Sequence, residues 1–515
     1  MPIGTIKIAS GFIEGIPCGN PSYTLFKGIP YAKPPIGEYR WKAPADPEPW
    51  EGVRRCNIFS PVSIQRKQDF GQFYQKEFFP VNVPMREDCL YLNIWTPSLS
   101  GDEKFPVMMW IHGGGFIAGY GHEMEFDGEA FCKRGVILVT INYRLGILGN
   151  LAHPDLSKMS HNNVSGNYGI LDQIQALKWI SKNIAAFGGD PGNVTIFGQS
   201  AGGMSVQALI SSPLSKGLFH KAIVQSAGGI ETLGGNLTLE EAEKTGTMLC
   251  EKAGKSIHEL MRLPAEELHD ITYAVRLSLD KGLTFKPIED GYVLTENPGD
   301  AVAYGRQHDV AYMTGSVSGD GILFNALLWG LPVKTKNEFE RLVRMKYHSQ
   351  ADQYLKLFNV QSDANLDTVQ SHIARAVSLI PPRSWAKAHN RMGRKPAYIY
   401  YFDRDIPGED HPGAFHSSEL WYIFGTLARC WRPMQVFDYK LSLIMTDYWT
   451  NFAKYGEPNG EGLPLWPPFT KESPYTMVMN EKQIEAVDMG SDYLTERMID
   501  LLFEKIYGGS SQESN

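Results

Sequence analysis

The stretch Asn193-Val194-Thr195-Ile196-Phe197-Gly198-Gln199-Ser200-Ala201-Gly202-Gly203-Met204-Ser205-Val206-Gln207-Ala208-Leu209 joins a β-branched, apolar run to a run that can coil into a helix, with Ser200 in the turn between them. Strand, tight turn and helix in that order hold a serine in a strained backbone conformation. Gly198 and Gly202, two positions to either side, let the strand and the helix approach each other closely. The start of the following helix also favours negative charge developing beside it.

Working outward, the flanking sequence alternates strand-length apolar runs with helical patterns. Val107 to Ile111 and Gly135 to Asn142 read as strands, and Val310 to Thr314 and Ala397 to Phe402 continue the series downstream. Between them Ile170, Ile174, Leu177 and Ile184 step round one helix face, and Phe187-Gly188-Gly189-Asp190-Pro191 stops that helix. Such alternation is the mark of an α/β fold with a large, mostly parallel central sheet flanked by helices. The first hundred residues, rich in Pro and Gly turns, read as short strands of an antiparallel edge. Helical texture from Glu241 to Leu268 and from Leu323 to Asn390 predicts cap helices inserted into the sheet, over roughly residues 231–300 and 322–395. Tyr493 to Tyr507 fits an amphipathic helix, and 508–515 a flexible polar tail. With no internal repeat or low-complexity linker, residues 1–515 are expected to form one domain.

Composition bounds the partners. The chain of 515 residues is 43% hydrophobic and 21% charged with a net charge of −8, and no basic block offers a footprint for nucleic acid or an anionic membrane. No apolar run approaches the roughly 18 residues of a membrane span, and the start lacks the pattern of a secretory leader, so a cytoplasmic location is expected. Six cysteines lie scattered with no Cys-x-x-Cys pair and no His at zinc-finger spacing, which predicts reduced thiols and neither metal nor cofactor.

The chemistry begins at Ser200. A hydroxyl at its ordinary pKa is a poor nucleophile and needs a general base, which in turn needs a carboxylate to fix its tautomer. His112-Gly113-Gly114-Gly115-Phe116 directly follows the strand Val107 to Ile111, and consecutive glycines leave backbone N–H groups unshielded. The amides of Gly114, Gly115 and Ala201 are therefore the expected oxyanion-hole donors, with His112 orienting the loop. Acid and base are expected on loops after later strands, which brings forward Asp320 and His416. By pattern alone His411 competes with His416, and Glu289, Asp290 and Asp403 compete with Asp320.

The chain resembles the type-B carboxylesterase and lipase family, which includes cholinesterases, mammalian carboxylesterases and bacterial para-nitrobenzyl esterases. The likeness spans nearly the whole length. It is carried by Phe26-Lys27-Gly28-Ile29-Pro30-Tyr31-Ala32, Glu87-Asp88-Cys89-Leu90-Tyr91-Leu92-Asn93-Ile94, the glycine loop, Asn142-Tyr143-Arg144-Leu145-Gly146, Leu171-Asp172-Gln173, the Ser200 turn, and the run from Tyr448 to Asn459. The resemblance implies an α/β-hydrolase fold, a Ser200–His416–Asp320 triad in which Asp stands where most members carry Glu, and structural ion pairs Arg40–Glu87 and Arg144–Asp172. It implies hydrolysis of small-molecule carboxylic esters by water, through an acyl-enzyme.

Departures from the family pattern sharpen the expectation. Secreted members bridge the cysteine matching Cys89 to one about thirty residues upstream, where this chain has Ser63; Cys89 is then a free thiol, as in a bacterial-type intracellular enzyme. Cholinesterases carry Glu before the nucleophile and a Trp in the loop before the Glu-Asp-Cys motif. Here Gln199 and Phe79 stand at those places, which points away from choline esters and toward neutral short- to medium-chain or aromatic esters. Gln199, Phe116, Phe324, Leu327, Leu328 and Trp421 are the expected pocket walls. The rival reading, a non-catalytic adhesion or scaffold homologue of the same fold, is disfavoured by the intact Ser200, Asp320 and His416.

Overall fold

The structure, a computed structural model, describes residues 3–19, 22–66, 73–79, 82–231, 235, 237–278, 285–393 and 395–509, apart from the side chains of Leu328, Trp329 and Met392. Most of the expected tail, 510–515, lies outside the described residues.

In chain order the strands are β1 (Thr5–Ile8), β2 (Gly11–Glu14), β3 (Ile16–Cys18), β4 (Tyr23–Pro30), β5 (Val53–Arg55), β6 (Tyr91–Thr96), β7 (Phe105–Ile111), β8 (Ile137–Ile141), β9 (Gly189–Gln199), β10 (Lys221–Gln225), β11 (Ala311–Val317), β12 (Ala397–Phe402), β13 (Tyr475–Met479) and β14 (Ile484–Asp488). β1, β2 and β5 make a small separate sheet. The rest form one 11-stranded sheet in the order β14-β13-β12-β11-β10-β9-β7-β8-β6-β4-β3. From β13 through β12, β11, β10, β9 and β7 to β8 every neighbour is parallel, and both edges are antiparallel.

The apolar runs of the sequence become the central strands because both faces of the sheet are covered. Every residue of β8, β11 and β12 is buried. Alternate residues of β7 point to opposite sides, so Val107, Met109 and Ile111 join a core with Ile174, Leu177 and Trp385, whereas Met108 and Trp110 join one with Phe424, Trp449 and Trp466. The helix marked by Ile170, Ile174 and Leu177 spans Tyr168–Asn183. It runs into a 3₁₀ turn, Ile184–Phe187, capped by Gly188 at φ 75°.

Sequence and structure differ at the less patterned strands. β10, β13 and β14 carry no strong sequence signal, being short and, in β14, only partly buried. The strand expected to stop at Thr314 runs on to Val317, because Gly315 has no side chain to clash where Tyr400 of β12 crosses it 2.2 Å from a would-be Cβ. The segment between β10 and β11 holds helices Leu239–Ala253, Ile257–Leu260, Ala265–Leu277 and Pro298–Ala303. That between β11 and β12 holds Asp320–Trp329, Lys336–Tyr347, Ala351–Phe358 and Leu366–Met392.

Two buried ion pairs pin the loops around the sheet. Arg144 makes a fork to both oxygens of Asp172 at 2.8 and 2.7 Å, and Arg40 does the same to Glu87 at 2.5 and 2.7 Å while capping the carbonyls of Met261 and Leu263. All six cysteines are free, and the buried Cys89 thiol faces Ser63, where a disulfide partner would stand. Among the described residues no helix is long and apolar enough to cross a membrane.

Candidate active site

The C-terminal ends of the parallel strands are where an α/β sheet gathers functional loops. β7 ends at Ile111 and delivers the glycine loop, β9 ends at Gln199 and delivers Ser200, β11 ends just before Asp320, and β12 ends before the loop bearing His416. All of these lie at the C-terminal end of the parallel strands.

Ser200 sits between β9 and helix Ala201–Ser211 at φ 56° and ψ −124°, a strained conformation for a residue with a side chain. The strain is locked in from both sides. The Ser200 N–H donates to Gln225 O at 2.9 Å, and the Ser200 carbonyl accepts from Met204 N–H at 2.9 Å. A Cβ on Gly202 would lie 2.0 Å from Ile111 O, and one on Gly198 2.5 Å from the Gly202 backbone, so strand and helix pack this closely only with glycine at both places.

Asp320 and His416 come together across 96 residues of sequence: His416 Nδ1 lies 2.6 Å from Asp320 Oδ1. The carboxylate, fully buried at the start of helix Asp320–Trp329, also accepts the Val317 N–H at 3.1 Å, which fixes its plane. With a carboxylate at Nδ1, the neutral ring carries its proton there and leaves a lone pair on Nε2. Burial pulls the His416 pKa down, but the charge and hydrogen bond of Asp320, helped by Glu419, outweigh it and leave the pKa raised above 6.5. Of the competing residues, Asp290 is spent on backbone amides of Tyr292, Val293 and Leu294.

The glycine loop approaches the serine from the other side. A Cβ on Gly113 would lie 3.2 Å from Ser200 Cβ. Gly114 and Gly115 take φ of 97° and 63°, and the amides of Gly114, Gly115 and Ala201 donate to no group among the described residues. The loop itself is heavily tied. Gln65 accepts from Gly119 N–H at 2.8 Å and donates to Gly119 O at 3.0 Å; Gly146 N–H reaches Phe116 O at 2.7 Å; Tyr143 O–H reaches His112 O at 2.9 Å. His112 stacks on Tyr143 with ring centres 4.4 Å apart, and burial drives its pKa down to about 4, so it stays neutral and serves as scaffolding.

The expected pocket residues scatter in role. Phe324 meets His416 edge to face at 5.5 Å. Phe116 and Trp421 are core residues, Trp421 stacked on Phe78 at 5.9 Å. Leu327 is 70% exposed, and the Leu328 side chain lies outside the described residues. Gln199 is the informative one. Fully turned inward, it places its amide nitrogen 3.1 Å from His416 Nε2, at the lone pair a serine hydroxyl would use.

Three residues were given no chemical role in the sequence reading. Glu419, buried behind His416, has its pKa pushed up to about 7, first by burial and then by Asp320. Glu123 and Glu125 form a buried carboxyl pair under the glycine loop, Glu123 accepting the Tyr120 N–H at 2.8 Å. In sequence all three look like solvated charges. Only the turns that fold them inward say otherwise.

Geometry and comparison now agree on the class, an α/β-hydrolase. Similar solved folds include a PNB esterase with TM-score 0.81 and 31% identity over 96% of this chain and 99% of that one, and a thermophilic PNB esterase with TM-score 0.80 and 30% identity. More narrowly, the chain belongs to the Carboxylesterase family, whose pattern matches residues 3–497, and is a serine carboxylesterase. Relatives include the fumonisin B1 esterase of Sphingopyxis macrogoltabida, 36% identical over 90% of this chain and 84% of the relative. The para-nitrobenzyl esterase of Bacillus subtilis is 35% identical over 89% and 91%.

Proposed function

We propose that the chain hydrolyses short- to medium-chain or aromatic carboxylic esters with Ser200 as nucleophile, His416 as base and Asp320 as the carboxylate that orients it. The observation carrying this is the 2.6 Å Asp320–His416 contact at the same end of the parallel strands as the strained Ser200.

In the resting site the Gln199 amide donates to His416 Nε2. When an ester enters, that amide yields its place to the Ser200 hydroxyl, whose oxygen attacks the ester carbonyl as its proton passes to Nε2. The oxyanion forms beside the unpartnered amides of Gly114, Gly115 and Ala201, which need no reorganisation to receive it. The Nε2 proton then goes to the departing alkoxide, leaving an acyl-Ser200. Water, deprotonated by the same nitrogen, attacks the acyl carbonyl and releases the acid. Gln199 supplies a dipole and no charge beside the nucleophile, so nothing there selects a cationic alcohol, and neutral acyl groups are the expected partners of Ser200.

The test is kinetic. Ser200→Ala is expected to lower kcat on a para-nitrophenyl acyl ester by about 10⁴- to 10⁶-fold, because triad members act as a unit. Turnover near the parental rate in a folded variant would remove Ser200 from the role.

A further inference from the structure

Helix Phe73–Phe78 packs on the loop that carries His416, and its aromatic rings gather round Phe415, the residue before the histidine. Phe73 meets Phe415 edge to face at 4.9 Å and Tyr74 does so at 6.4 Å. Phe78 leans on it at 6.3 Å while stacking on Trp421 at 5.9 Å. Tyr74 faces the acid–base pair: burial first, then the charges of Asp320 and Glu419, push its phenol pKa up, so it stays neutral there. On its other side the His416 loop is fastened by the Gly319 N–H, which donates to Ala414 O at 2.9 Å, and the imidazole rests on Phe324.

One side chain fixes the helix in that seat. Arg432 donates to both carboxylate oxygens of Glu77 at 2.6 to 3.1 Å, and the two side chains are 0% and 1% exposed. The rest of its fork goes to Asp410 at 2.9 and 3.0 Å and to Pro407 O at 3.2 Å. Glu77 belongs to the helix, whereas Pro407 and Asp410 belong to the loop that leads from β12 to His416. The guanidinium joining them lies 5.3 Å from the centre of the Phe415 ring and 5.7 Å from that of Phe73.

We infer that Arg432 is a positioning residue for the ester reaction: by seating helix Phe73–Phe78 on Phe415 it holds His416 against Asp320. The inference rests on the reading of His416 as the base for Ser200. Arg432 is too deeply buried to meet substrate and acts only through the helix and loop it joins. Its loss has two effects of opposite sign on the base. Glu77 and Asp410 would stay behind as uncompensated negative charge, whose field favours the protonated ring and raises the His416 pKa. Loosening Phe415 does the reverse. Burial pulls the His416 pKa down, but Asp320 and Glu419 outweigh it and hold the pKa above 6.5, so a ring released from Asp320 into water returns toward 6.5. The direction in which the acid limb of kcat/KM moves therefore separates positioning from a plain field effect.

The experiment compares wild type with Arg432→Met on para-nitrophenyl butyrate across pH. In the variant kcat should fall about 10- to 100-fold, the size expected when a reacting group is misplaced by about 1 Å, with KM changing less and the acid limb of kcat/KM moved to lower pH. The double variant Glu77→Met, Arg432→Met removes both buried charges. Apolar residues of similar volume often replace a buried ion pair without loss, so it should keep the helix seated and return kcat to within about threefold of wild type. A folded Arg432→Met with the parental kcat, or with an acid limb that stays or moves to higher pH, would overturn the inference, as would a double variant as slow as the single one. Should Arg432→Met fail to fold, Phe73→Ala carries the test, because it removes a ring that is 39% exposed and leaves the ion pair in place. A smaller fall in kcat with the acid limb again at lower pH is expected there, and wild-type values of both would overturn the inference. NMR titration of His416, assigned by its absence in His416→Gln, reads the same pKa without turnover. Wild type that hydrolyses no ester would instead strike the esterase reading, and the NMR difference between wild type and variant would still judge the positioning.

Discussion

Gln199 and His416 set what pH the site prefers. As the proposed base, His416 works only when neutral, so the acid limb of kcat/KM is expected to follow its pKa, which Asp320 and Glu419 raise above 6.5 against the pull of burial. With its nitrogen toward Nε2, the Gln199 amide stabilises the neutral ring, as donor to its lone pair. Gln199→Glu replaces that donor with an acceptor that stabilises Nε2–H, the charged form. The acid limb of kcat/KM should therefore move to higher pH in Gln199→Glu; a limb that stays or moves to lower pH would show that the 3.1 Å contact does not govern the base. Ser200, the candidate nucleophile, stands out in the sequence through its short motif, whereas His416 was singled out from His411 only by the family resemblance. What Gln199 does was not legible, because a turn of the chain, invisible in spacing, decides that its amide faces His416.

At the scale of the element stands the segment from Gly113 to Phe126, whose glycine loop closes on Ser200 and whose far end buries Glu123 and Glu125. Burial, and for Glu125 the charge of Glu123, lift both carboxyls above the ordinary range near 4.5, and they share a proton by hydrogen bond. Above that range the folded chain holds more protons than the unfolded one, so the stability from this pair is complete at low pH and is lost as pH rises through neutrality. Glu419, with its pKa near 7, acts in the same direction. Glu125→Gln keeps a donor for Glu123 and removes one ionisation. The drop in thermal midpoint between pH 5 and pH 8 should be smaller in the variant, and an undiminished drop would clear the pair of responsibility. Sequence marked the glycines of this element because their lack of side chains is itself the signal. Its two glutamates carry no sequence signal of burial, since carboxylates are rarely buried.

Across the whole molecule, the doubly covered parallel strands were readable because burial on both faces leaves continuous apolar runs, as in Ile137–Ile141 and Ala397–Phe402. Edge and near-edge strands such as Ile484–Asp488 mix polar and apolar residues and escape that signal. The resemblance to a known family carried what pattern could not, including the choice of Asp320 and the Arg144–Asp172 pair. That pair is fully buried, with side-chain exposures of 2% and 0%, and ties the loop after β8 to helix Tyr168–Asn183. Asp172→Ala leaves a buried guanidinium without its carboxylate, and unfolding by denaturant should show a loss of about 3–5 kcal/mol. A loss below about 1 kcal/mol, the scale of an exposed pair, would mean the site reorganises around Arg144.

The central claim is that one serine, Ser200, carries the reaction. Treating the protein with a fluorophosphonate and mapping the modified peptide by mass spectrometry tests it most directly. One adduct on Ser200, with hydrolysis abolished in step with labelling, is the expected result. An unmodified Ser200 in protein that still hydrolyses esters, or an adduct on another residue that stops hydrolysis, would contradict it.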